Sequence, residues 1–197
     1  MTTSLRKDSP PTMHMWTSLD TPLGRLLLVA SLRGLSRVYF PGESPDLSGL
    51  QRLPDGPTSA RHPSTANAGV AGAGVAGADA LVAAAQQITE YFAGTRRDFE
   101  LLLDVPASPH TFRDRAQRAL RDIPFSERWT YSRLAAAAGS AQAARAAGSA
   151  CATNPLPIVV PCHRVVPASG GFGSYRGGTA AKQMLLEHEA TLCGTRP

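Results

Sequence analysis

Apolar positions along this chain of 197 residues change period several times, and each change marks an element. The stretch "LGRLLLVASLRGLSRVYF" places Leu, Val, Tyr and Phe in two β-like runs that meet at a Gly-containing turn, so it predicts a hairpin after a start with no ordered pattern. Residues 54–78 are Pro, Gly, Ser and Ala with almost no large apolar side chain. Such a segment cannot offset the entropy lost on ordering, and it reads as a flexible insertion. From Asp79, in the position of a cap, Leu81, Ala84, Ile88, Tyr91 and Phe92 recur at helical spacing until Gly94. "FELLLDV" then predicts a further strand.

The second half is patterned differently. Ser108 and Pro109 form a cap and first helical position, and Phe112, Ala116, Ala119, Leu120 and Ile123 mark one helix face until Pro124. Two short Ala-rich helical segments follow, "YSRLAAAA" and "AQAARAAGSAC", parted by Gly139 and Ser140. This is the outline of a helix-turn-helix, although an ordinary helical hairpin has the same pattern. "NPLPIVVPCHRVV" sets a strand-like apolar run between prolines. In the last helix Ala181, Met184, Leu185, His188 and Leu192 form the apolar face, with Glu189 at its edge and Glu187 pointing away. The fold class expected is a small α/β N-terminal domain, residues 1–107, with the insertion inside it. A mainly α, winged-helix-like C-terminal domain, residues 108–197, carries the helix-turn-helix.

Charge sharpens this division. Residues 1–107 hold 9 Lys/Arg against 10 Asp/Glu, whereas residues 108–197 hold 11 against 5. The whole positive excess lies in the second half, as a polyanionic partner would require, and a solvated basic surface fits it equally. No apolar stretch reaches membrane-spanning length and the N-terminus lacks a signal-peptide core, so a cytoplasmic protein is expected. Cys151, Cys162 and Cys193 form no disulfide framework and lack zinc-site spacing. Neither metal nor cofactor is expected.

Cys162 reads either as a packed thiol or as a nucleophile. Reactivity requires a base or positive charge to shift the thiol toward thiolate, and His163 is the nearest base. Neighbours in an extended segment point apart, so a bridging water is the easier link. Glu189 is the better-placed carboxylate to orient the histidine. Exposed small residues on the second Ala-rich helix would let a backbone approach a narrow groove, with Arg145 reaching beyond them. His14, His62 and His110 read as solvent-exposed, Cys193 as incidental and Cys151 as packed.

Taken together, "NPLPIVVPCHRVVPASGGFGSYRGGTAAKQMLLEHEA" and the preceding "YSRLAAAAGSAQAARAAGSA" resemble the O6-alkylguanine-DNA alkyltransferases, the methylated-DNA–protein-cysteine methyltransferases. The resemblance implies double-stranded DNA carrying O6-alkylguanine as partner, a monomer, and irreversible single-turnover transfer of the alkyl group to Cys162; O4-alkylthymine is a further implied substrate. His163 would take the thiol proton through water, Glu189 would support it and Asn154 would brace the network. Tyr131 would rotate the nucleotide and donate to the departing base, and Arg145 would fill the vacated stack. Cys151, Pro157, Val165, Tyr175 and Arg176 would complete the pocket. Ala143, Ala144, Ala146 and Gly148 would face the groove. Ala116 and Gln117 stand where the family carries a Val-Trp pair, which predicts looser packing behind the helix-turn-helix. Ala152 and Thr153 stand in place of Gly or basic residues and put groove contacts there in doubt. An alkyltransferase-like damage binder, which lacks the nucleophile, and a Cys-His hydrolase are the rival readings.

Overall fold

The computed structural model describes residues 14–54, 73–105 and 110–194. Strands β1 (Met15–Thr21), β2 (Gly24–Ser31) and β3 (Gly34–Tyr39) form an antiparallel meander, and the short β4 (Gln51–Arg52) pairs in parallel with β1, giving the order β3-β2-β1-β4. The expected hairpin is β2–β3. The strand ahead of it went unread because Thr17 and Ser18 are polar yet buried, which hides the alternation of Met15 and Leu19. The Thr17 hydroxyl donates to the Pro54 carbonyl at 3.0 Å and so meets the cost of its burial.

Helix α1 (Ala73–Phe92) lies across this sheet with Leu81, Ala84, Ala85, Ile88 and Tyr91 sealed against it. It begins ahead of Asp79, which therefore sits inside the helix rather than capping it. Gly77 permits the close approach, since a Cβ there would lie 3.1 Å from Met15 Sδ. Gly94, at φ 76°, ends the helix as the pattern predicted. Most of the insertion expected over 54–78 lies outside the described residues. "FELLLDV" is not a strand: it touches the sheet at a single bridge, Leu35 to Leu103, with Leu35 N–H donating to Leu102 O and Asp104 N–H to Leu35 O. The chain passes so close to Gly34 that a Cβ would meet Leu102 O at 2.2 Å.

In the second half α2 (Phe112–Ala119) opens under Thr111, whose hydroxyl accepts from Asp114 N–H at 3.2 Å. That start is later than the Ser108–Pro109 cap, and those two residues lie outside the described ones. A 3₁₀ turn (Leu120–Asp122) follows, then β5 (Trp129–Thr130), α3 (Tyr131–Ala137), α4 (Ala144–Ala152), a second 3₁₀ turn (Cys162–Arg164), β6 (Val165–Val166) and α5 (Thr179–Leu192). Strands β5 and β6 pair in parallel. Helices α3 and α4, turned at Gly139 (φ 86°), are the helix-turn-helix. Behind them Ala116, Ala138 and Ala150 pack at 0–2% exposure and Gln117 Nε2 donates to Ala150 O at 3.1 Å. Where looser packing was expected, Ala116 is fully buried, and Gln117 lines a cavity of about 220 Å³ with Leu103, Arg118 and Val160.

One apolar core runs through both halves, from Met15 to Leu185. Val38 N–H donates to Pro155 O at 2.9 Å, and Gly177 is pressed against Phe40 so tightly that a Cβ would sit 2.8 Å from the ring. The sheet thus buttresses the loop that leads to Cys162.

Candidate active site

The apolar run before Cys162 is a series of buried turns, not a strand. Pro155, Pro157 and Pro161 each lack an N–H donor, and Ile158 takes φ 75°, a conformation costly for a β-branched residue. Local bonds hold the loop instead. Val160 N–H donates to Leu156 O at 2.7 Å, and Asn154 Oδ1 accepts from Leu156 N–H at 3.0 Å. That second bond fixes the amide's orientation, so Nδ2 faces the other way and donates to Val160 O at 2.8 Å and to Cys162 Sγ at 3.1 Å. Asn154 therefore shapes the loop and holds a donor against the sulfur.

Cys162 is 4% exposed. Burial pushes its pKa up, opposed by the Asn154 amide and by the positive charges of Lys182 and Arg176, with the balance still upward. The resting sulfur is a thiol, so ionisation must accompany the reaction.

Cys162 and His163 lie on a 3₁₀ turn, which directs the imidazole inward, away from the cavity. His163 Nε2 lies 2.9 Å from Glu189 Oε1, and both side chains are fully buried. Burial lowers the pKa of His163 and the Glu189 charge only partly restores it, so the ring is neutral. A carboxylate can only accept, so Nε2 carries the hydrogen. Nδ1 is then the basic nitrogen, and it has no hydrogen-bond partner among the described residues.

Glu189 is not at the edge of α5 but at its centre. Lys182, Leu185, Leu186, Glu189 and Ala190 form the buried face, whereas Met184 is 40% exposed. Sequence reasoning missed the groups that make this burial possible. The Arg164 guanidinium donates to both carboxylate oxygens, with Nε to Oε2 and Nη2 to Oε1 each at 3.0 Å. Tyr91 Oη donates to Oε1 at 2.9 Å, and the N–H of Ser126, at φ 65°, donates to Oε2 at 2.9 Å. Burial alone would lift the Glu189 pKa, but His163 and Arg164 overcome it and hold the carboxyl well below its usual range. Lys182 was missed too. It is 1% exposed and its Nζ donates to Val165 O at 2.6 Å. The charged residues of the motif are buried, so an apolar-face pattern could not find them.

A cavity of about 710 Å³ opens onto Cys162. Tyr131, Cys151, Tyr175 and Arg176 line it as expected, and Arg145 and Gly148 line it from α4. Pro157 and Val165 do not line it; both are buried, and the Val165 carbonyl is engaged by Lys182. Of the other groove-facing alanines, Ala146 is exposed, Ala144 half-buried, and Ala143 packs partly on the core. Arg145 is exposed and its guanidinium has no partner among the described residues. Cys151 is a wall of the cavity, where burial and the nearby Cys162 push its pKa up to about 12, leaving it an inert thiol. Burial raises the pKa of Tyr131, and the neighbouring cysteines raise it further, so it remains a donor. The Tyr175 hydroxyl is buried near Cys162 with no well-formed hydrogen bond among the described residues, and the Arg176 guanidinium donates to the Asn154 and Val38 carbonyls. Ala152 and Thr153 are exposed, the latter's hydroxyl donating to Ser149 O at 2.9 Å. His14, expected on the surface, is half-buried; His110 and Cys193 are exposed, and His62 lies outside the described residues.

Known proteins resemble this chain over most of its length. The family model for the DNA-binding domain of 6-O-methylguanine DNA methyltransferase matches residues 111–191, and that for its ribonuclease-like domain matches residues 14–105. The constitutive methylated-DNA–protein-cysteine methyltransferase of Bacillus subtilis is 34% identical over 90% of this chain and 96% of its own length. The human methylated-DNA–protein-cysteine methyltransferase is 35% identical over 90% of this chain and 81% of its own. The crystal structure of Mycobacterium tuberculosis OGT in complex with DNA superposes with a TM-score of 0.72 at 30% identity, covering 90% of this chain and 94% of that one.

Proposed function

That the chain belongs to the 6-O-methylguanine DNA methyltransferase family is the premise from which we propose that Cys162 is its alkyl acceptor and that the cavity above it receives an everted O6-alkylguanine. The protein is a DNA-repair enzyme that reverses damage directly, moving the alkyl group from the base to its own cysteine. A base stacked in a duplex cannot reach a buried sulfur, and extrusion costs a few kcal/mol. Arg145, exposed at the mouth and without a partner among the described residues, fills the gap left in the stack.

The Cys162 proton passes, through one water, to His163 Nδ1, while Glu189 fixes the Nε2–H tautomer and stabilises the imidazolium. Sulfur attacks the alkyl carbon; the C–S bond forms as the C–O6 bond breaks, and its electron pair returns to the guanine. Tyr131 donates to the base as this charge develops. The net result is thiol and O6-alkylguanine giving thioether and guanine, the thiol proton ending on the base. No second base activates another thiol near Cys162 among the described residues, so each molecule reacts once. O4-alkylthymine, a smaller base with the same alkyl–oxygen bond, is a second substrate. The protein acts as a monomer in the cytoplasm, and among the described residues no helix is long and apolar enough to cross a membrane.

The observation that carries this reading is the Asn154–Cys162 contact beside a neutral His163 whose free nitrogen is Nδ1. Incubation with duplex DNA carrying methyl-labelled O6-methylguanine should leave stoichiometric label on Cys162, and Cys162→Ala should bind the same DNA without taking label. Label on that variant would overturn the assignment.

A further inference from the structure

Resting on the roles proposed for His163 and Glu189, we propose that Tyr91, on α1 and 98 residues distant from Glu189 in sequence, is a positioning residue of the reaction: its hydroxyl sets the direction and strength with which Glu189 meets His163. The sheet-and-helix half of the chain thereby supplies part of the active centre rather than only its support.

The geometry is specific. Tyr91 Oη and His163 Nε2 both lie 2.9 Å from the same atom, Glu189 Oε1. Arg164 Nη2 lies 3.0 Å from it as well. An oxygen with this many donors has no free lone-pair direction, so each donor constrains the others. Tyr91 is itself immobile. It is 0% exposed, its ring is packed by Phe92, Phe99, Phe125 and His188, and its carbonyl is 2.8 Å from His188 Nε2. Burial and the Glu189 charge hold the phenol protonated, so it is a permanent donor.

Electrostatics gives the consequence a sign. Each hydrogen bond to Oε1 withdraws charge that would otherwise stabilise the His163 imidazolium. The charged or titratable groups around His163 are Glu189 and Lys182 from α5, Arg164 and Cys162 on its own turn, and Tyr175 with its ring 6.5 Å away. Removing the Tyr91 hydroxyl leaves all of these in place and raises the basicity of His163 while loosening the aim of Glu189.

The test is single-turnover methyl transfer with saturating lesion DNA, measured from acid to neutral pH. Tyr91→Phe should react about 10-fold more slowly at saturation, as one hydrogen bond to a charged group predicts. Its acid limb should move to higher pH, with affinity for the lesion duplex unchanged. Placing 3-fluorotyrosine at 91, a more acidic phenol and stronger donor, should move the limb to lower pH; it keeps the test available if Tyr91→Phe fails to fold. Phe99→Leu, which thins the packing on the ring but keeps the hydroxyl, should lower thermal stability and leave the limb in place. The inference falls if Tyr91→Phe keeps the wild-type rate and limb, if fluorination leaves the limb unmoved, or if Phe99→Leu shifts it as much as Tyr91→Phe does. A wild-type protein that takes no label would instead sink the proposed function.

Discussion

The two sides of Cys162 are built by opposite means. Behind the sulfur, Tyr91, His163, Arg164 and Glu189 are all at most 4% exposed, and the carboxylate is surrounded by donors. In front of it, the cavity is edged by α3 and α4, where Arg145 is exposed with no partner among the described residues and the surface is mostly alanine. The back is preorganised before any substrate arrives, as proton transfer requires. The front leaves Arg145, which has no partner among the described residues, for a partner that brings its own order. Substitutions behind the sulfur should therefore cost stability and rate together, whereas those at Arg145 and the small residues in front should cost DNA recognition alone.

Glu189→Gln is the strongest challenge to that division. It leaves the Arg164 guanidinium buried without a counter-charge, and breaking such a pair costs about 3–5 kcal/mol. Urea unfolding at neutral pH should show a loss of this size together with a collapse of methyl transfer. A wild-type midpoint would mean that the buried charges do not hold the back together. Acid gives a second view. The folded pKa of Glu189 is depressed, so its stabilisation is present above the ordinary carboxylate value of 4.5 and is lost as pH falls below it. The folded pKa of His163 is also lowered, so its contribution is present above 6.5 and is lost as pH falls through and below that value. Stability should decline in two stages on acidification, and Glu189→Gln should remove the lower one.

Arg145→Ala tests the other side. Removing an arginine that contacts DNA costs about 1–3 kcal/mol of binding, so affinity for the lesion duplex should fall about 10-fold or more. Folding stability should move by less than about 0.5 kcal/mol, as for other surface changes. Reaction with a free O6-alkylguanine base, which needs no extrusion, should keep its rate. A parallel fall in that rate would show that Arg145 acts within the cavity rather than on the duplex.

The same contrast explains what the sequence disclosed. Helix faces built from Leu, Ile and Ala were legible because burial follows hydrophobicity there, as at Leu81, Ala84 and Ile88. Cys162 and His163 stood out as a candidate pair through the motif around them, and Glu189 as its candidate carboxylate through its place on the last helix. What stayed hidden was mostly where a polar group is buried against a partner on another element. Thr17 disguised β1, and Lys182 stands inside the apolar face of α5 while Met184, which the pattern placed there, faces out. Arg164 and Tyr91 meet Glu189 from other elements, and no local period encodes those pairings. The turns before Cys162 escaped for a related reason: a run of Leu, Ile and Val signals burial, and only the three prolines and the φ of Ile158 turn it from strand to loop.

Gln117 offers the finest test, because it joins the two regions. Its Nε2 donates to Ala150 O at 3.1 Å and ties α2, behind the helix-turn-helix, to the cavity-bearing α4. Gln117→Leu removes that donor but keeps much of the side chain's volume. One such bond is worth about 0.5–1.5 kcal/mol, and the Ala150 carbonyl, whose ladder donor Asn154 N–H turns to Cys151 O, would keep only the Thr153 hydroxyl at 3.5 Å, so a loss within that range is expected. The urea midpoint should drop slightly with an unchanged slope, while rate and lesion affinity stay at wild-type values. A larger loss, or a fall in affinity without one, would mean that α4 depends on this single strut for its placement. The front of the site would then be preorganised from behind, and the contrast between the two sides would be one of exposure only.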